Sequence, residues 1–77
     1  MKPKPFRPEA YYDLAALKAM LGKTSEALEN LRLAMDANAK RLQRDPKAAD
    51  LAATNRSDHR FDALRGLPEF QKIVPPK

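Results

Sequence analysis

The chain has no cysteine and no tryptophan, one histidine and two glycines among its 77 residues. Without cysteine there is no disulfide, no thiolate-held zinc or iron–sulfur group and no thiol nucleophile. A reducing compartment fits that absence. Long hydrophobic runs are missing too: nothing approaches the ~20 apolar residues that cross a bilayer, so no membrane role is expected. The opening Met-Lys-Pro-Lys-Pro-Phe-Arg-Pro is charged, but no apolar stretch follows it. It does not read as a secretory signal, and a cytoplasmic location is the expectation. No segment alternates with period two, so no strand is expected. The length leaves room for one small, marginally stable domain and excludes an α/β catalytic scaffold. No enzyme and no cofactor are expected.

What is present is a globular balance, 43% hydrophobic and 32% charged, with a net charge of +5. The positive charge is unevenly placed. Lys2, Lys4 and Arg7 crowd the start, and Lys40, Arg41, Arg44 and Lys47 gather around Asp45. Residues 1–8 form a proline- and lysine-rich arm, since alternating prolines favour an extended chain. Pro5-Phe6-Arg7-Pro8 satisfies a PxxP pattern, but four residues specify little, and Phe6 tucked against the body is the preferred reading.

From Glu9 the pattern turns helical. Ala10, Leu14, Leu17 and Leu21 recur at spacings of four, three and four, and define the expected buried stripe. Pro8 suits the first turn, and Gly22 stops the helix because it accepts the left-handed conformation. A second helix follows, capped by Thr24 or Ser25, with Leu28, Leu31, Met35, Ala39 and Leu42 on its inner face. Nothing breaks it before Arg44, which makes a hairpin over 9–44. Asp45-Pro46 reads as cap and first turn of a short third helix reaching Thr54, with 55–57 as a loop. Ser57 or Asp58 caps a fourth helix with Phe61, Leu64 and Arg65. Leu67-Pro68 opens a last turn with Phe70, Ile73 and Val74, before a tail at 75–77. The expected fold is all-α: a helix hairpin followed by a cap over 45–74.

Tyr11, Leu14, Ala15, Gly22, Ala27, Leu31 and Ala34 fall at the spacing of a tetratricopeptide repeat, and the window from Pro8 to Arg41 resembles one. In this reading Ala15 and Ala27 are small where the helices cross, and Leu14, Leu28 and Leu31 fill the seam. Lys18 stands where such a repeat usually has an aromatic, and no proline ends the second helix near Ala39. The stretch Asp58-His-Arg-Phe-Asp-Ala-Leu-Arg-Gly-Leu-Pro-Glu-Phe70 is similar to the Asp-x-x-Phe-x-x-Leu-Arg-x-x-Pro-x-Phe segment that closes arrays of these repeats in many bacterial proteins. The resemblance implies a protein-binding scaffold, or the terminal cap of a longer array, without catalysis. It turns Glu9, Tyr12, Ala16, Ala19 and Met20 toward the binding groove. Lacking Lys, Asn and Arg there, the groove is not expected to clamp a carboxylate. Tyr12, Ala16, Ala19 and Met20 make the candidate partner surface, open either to a protein or peptide or to cover by the chain's own tail. A homodimer or a partner complex through the first helix is the expected assembly.

The residues offer two sharper chemistries. His59 has Ser57, Asp58 and Asp62 nearby, but sequence neighbours on a helix point apart, and a triad needs convergent geometry. His59 with Asp62 is equally thin as a metal site. Asp58 as cap and His59 in solvent is the preferred reading. Lys40, Arg41, Arg44 and Lys47 could meet nucleic acid or an acidic partner. Cations near the end of the second helix also suit its negative pole, and that local role is preferred.

Overall fold

The computed structural model describes residues 7–74. The arm residues 1–6, with Phe6, and the tail at 75–77 lie outside the described residues. Pro8 opens α1 (Pro8–Met20), where its missing N–H removes no helical bond, and the Arg7 carbonyl accepts from the Ala10 amide at 2.9 Å. The helix closes at Gly22, which sits at φ +77°, a region that favours glycine. There the Lys23 amide donates to the Lys18 carbonyl at 2.9 Å, and the Gly22 amide to Ala19 at 3.1 Å. The closure leaves no spare residue before the next helix. Lys23 is already the N-cap of α2 (Thr24–Arg44), so neither Thr24 nor Ser25 caps it, contrary to expectation.

Ion pairs at both ends show that the two helices run antiparallel. Lys18 meets Glu26 at 3.0 Å beside the turn, and Glu9 meets Arg41 at 2.7 Å at the far end. Between them the helices touch through Ala15, Ala16, Ala27, Leu31 and Ala34, all with no exposed surface. The small residues at Ala15 and Ala27 thus do what the sequence suggests. Leu14 does not fill the seam. It is 40% exposed, and Leu17 and Leu21 are more so, at 50% and 60%. The leucine stripe of α1 faces solvent, and Tyr12, Ala15, Ala16 and Ala19 are the buried set. In α2, Ala39 is exposed and Asn38 takes the buried position beside it.

The third helix is shorter and later than expected. Asp45 and Pro46 form a turn instead: the Asp45 carboxylate accepts from the Lys47 amide at 3.1 Å and its carbonyl from Ala48 at 3.0 Å. α3 is Leu51–Arg56, capped by Asp50 through the Ala52 and Ala53 amides, and it takes in Asn55 and Arg56. Asn38 supplies the reason. Its amide nitrogen donates to the Ala49 carbonyl at 2.7 Å, and its oxygen accepts from the Leu51 amide at 3.0 Å. Both bonds hold the chain around Ala49 extended against α2, where it cannot coil. Replacing Asn38 by Leu strands the buried Leu51 amide and removes one donor from the Ala49 carbonyl, and is expected to cost about 1–3 kcal/mol. An unshifted urea midpoint would show that solvent serves those groups equally well.

Asp58 caps a 3₁₀ helix, η1 (His59–Leu64), where an α-helix was expected. Leu67 then leads into α4 (Pro68–Ile73). η1 packs on α1, while α3 and α4 pack on α2, so the C-terminal segment straddles one face of the hairpin. It brings Leu51, Phe61, Leu64, Phe70 and Val74, each at most 5% exposed. The described residues are all-α, and none of their helices is long and apolar enough to cross a membrane.

Candidate functional site

Of the candidate partner surface, Tyr12, Ala16 and Ala19 are buried, and only Met20 is open, at 65%. The C-terminal segment covers Tyr12 through Phe61 and Asp58. The Tyr12 ring lies 5.3 Å from that of Phe61, and its hydroxyl donates to Asp58 Oδ2 at 2.7 Å. Burial, then the neighbouring carboxylate, pushes the Tyr12 phenol well above its usual range. Asp58 also accepts from the Arg60 guanidinium at 2.8 Å and from the Arg60 amide at 3.0 Å. The Arg60 bonds, helped by the Tyr12 hydroxyl, hold the Asp58 carboxyl well below the ordinary carboxylate range against its desolvation. Arg60 also sits 5.7 Å over the Tyr12 ring. This cluster fastens η1 to α1.

A second guanidinium ties the cap together. Arg65 Nη2 donates to the Asn55 and Asp58 carbonyls at 2.7 and 2.6 Å, Nε reaches Asp62 at 3.0 Å, and the group lies 5.8 Å over Phe70. His59 projects away from all of this, 93% exposed, with Nδ1 3.2 Å from Asp62 Oδ2. Among the described residues no group of three potential ligands could hold a metal ion.

The basic cluster divides into three roles. Arg41 Nη1 grips both Glu9 oxygens, at 2.8 and 2.7 Å, and this hydrogen bonding lowers the Glu9 pKa. Lys47 lies in the turn after α2. Lys40 and Arg44 stand at the edge of a 430 Å³ cleft between the start of α1 and the end of α2, lined also by Pro8, Tyr11, Leu33, Asp36 and Ala37. Among the described residues, neither Lys40 nor Arg44 has an ion-pair or hydrogen-bond partner for its head group. The clustering of cations around Asp45 made these two visible in sequence, together with Arg41 and Lys47. The apolar floor did not show, because it needs two helices to form.

The leucine stripe makes a neighbouring surface, and the hollow beside it shares Tyr11 with the cleft. Leu14 and Tyr11 line a smaller hollow of 340 Å³ with Ala10 and Asn30. No family model matches the chain, and no curated protein and no solved structure matches it either. Function has to be read from these surfaces.

Proposed function

We propose that the chain is a non-catalytic protein–protein interaction module: a tetratricopeptide-type helix pair, closed on one side by its own cap, that ends an array of such pairs. The observation that carries this reading is the asymmetry of the hairpin. One face is sealed by Phe61, Leu64 and Phe70, while Leu14, Leu17 and Leu21 on the other are 40–60% exposed. A single helical repeat cannot bury both its faces, and stacking supplies the missing cover. The buried Ala15, Ala27 and Ala34 and the left-handed Gly22 support the family reading, since the resemblance rests on those positions. In this reading the partner meets Leu14, Leu17 and Leu21, with Met20 at the edge, rather than Tyr12, Ala16 and Ala19.

Two idealised repeats fused ahead of Pro8 are expected to melt together with this chain in one transition, at a higher temperature than the chain alone. Leu17→Glu should split that transition in two while shifting the isolated chain by less than ~0.5 kcal/mol, because the side chain is half exposed. Independent melting of fused repeats and wild type would overturn the stacking reading. Alone at high concentration, the chain is expected to pair through the same face. Light scattering should then report a dimer for wild type and a monomer for Leu17→Glu and for Met20→Glu.

A further inference from the structure

We infer that the cleft between the start of α1 and the end of α2 is a second docking site, for an acidic peptide segment that carries a large apolar side chain. The inference rests on the reading of the chain as an interaction module, but it uses a different surface from the leucine face. The floor is apolar, built by Tyr11, Leu33 and Ala37, and 430 Å³ lies within the range of clefts that accept a ligand. Lys40 and Arg44 line it one helical turn apart on α2, with no partner for either head group among the described residues. Arg41 is not a third free cation: its grip on Glu9 fixes the wall of the cleft. Asp36 lines the cleft four residues before Lys40. It orients the ligand, since acidic residues are attracted to the Lys40–Arg44 end and repelled from the other.

Stabilisation of a helix end by cations explains a charge at Lys40 or Arg44, but it requires no apolar floor beside them. A second copy of this chain is a poor occupant, because it brings the same +5 charge to an already cationic edge. Nucleic acid fits less well than peptide. Phosphate tracking needs a longer row of free cations, and stacking needs aromatic faces open to bases, whereas Tyr11 is half-buried and Asp36 adds a negative charge.

Fluorescence anisotropy with the whole chain tests this, using three labelled probes: an Asp/Glu-rich peptide with a central Leu-Phe pair, the same peptide with Ser-Ser in its place, and a single-stranded oligothymidine. The first peptide is expected to bind with Kd of roughly 10–100 μM at low salt and to weaken as salt rises. Lys40→Glu with Arg44→Glu should weaken it by about tenfold or more, while Lys47→Glu leaves it unchanged. A parallel melt checks that the double variant folds. Amide shifts in wild type should cluster at Leu33, Ala37 and Lys40 rather than at Leu17, which reads the site without any variant. The proposal is overturned by an absence of binding, by equal binding of the Ser-Ser probe, or by tighter binding of oligothymidine that depends on the same two cations. Failure here leaves the fused-repeat result untouched, so the two readings fall separately.

Discussion

Phe61→Ala is expected to leave the chain unfolded at room temperature. Phe61 is the largest side chain with no exposed surface, and it stacks between Tyr12 at 5.3 Å and Phe70 at 6.2 Å. Its removal opens a void that the hairpin closes poorly, because α1 and α2 meet mainly through alanines, and Leu31 is already fully buried in their seam. A buried Phe→Ala change costs about 3–5 kcal/mol, and so small a core rarely supplies more than that in total. Phe70→Ala, at 3% exposure, should fall on the same scale. Far-ultraviolet circular dichroism decides it. A Phe61→Ala melt that overlays wild type would show that the C-terminal segment is an appendage rather than half of the core.

Asp58→Asn is expected to destabilise the chain at neutral pH and to flatten its response to acid. The carboxylate caps η1, accepts the Tyr12 hydroxyl and pairs with Arg60, so losing its charge weakens three contacts at once. About 1–3 kcal/mol is the expected cost. The folded state holds the Asp58 pKa below its unfolded value, so protons bind the unfolded chain first. Its contribution is therefore complete above about pH 4 and is lost as the pH falls from there toward the depressed folded value. Glu9 and Asp62 are shifted in the same direction, but both are largely solvated and add less. Wild type should thus lose stability steeply below about pH 4, and Asp58→Asn, already weaker, should lose less. Parallel acid profiles for the two proteins would mean that the Asp58 pairs carry no folding energy.

The long helices and their joint were legible in the sequence because local chemistry decides them: Pro8 at a first turn, Gly22 at a left-handed stop, no breaker between Thr24 and Arg44. Which side of α1 is buried was not legible. That helix is apolar around most of its circumference, with leucines at 14, 17 and 21 and smaller residues at 15, 16 and 19. Size favours the leucines as core, yet two backbones approach most closely over alanine. The third helix was misplaced because Asp45-Pro46 carries as good a local start signal as Asp50, and the choice lies with Asn38, distant in sequence. Candidate residues fared according to the same rule. Lys40 and Arg44 share a helix face and could be paired by spacing alone. Arg41, between them, was drawn off by Glu9 from another helix, and Tyr12 was covered by Phe61, neither of which a one-helix pattern contains.

The alanine seam of the hairpin has a consequence for the order in which the protein takes shape. Among the described residues, every fully or nearly fully buried aromatic side chain apart from Tyr12 comes from residue 61 or later. As the chain leaves the ribosome, α1 and α2 emerge with their backbones able to meet but with little bulk to hold them together. Non-local contacts are rewarded only once the segments that make them are both present. The hairpin therefore cannot commit to its fold until Phe61 and Phe70 have cleared the exit tunnel. Until then its leucine face and its alanine face are exposed together, and the nascent helices depend on whatever else in the cell keeps two apolar faces from sticking.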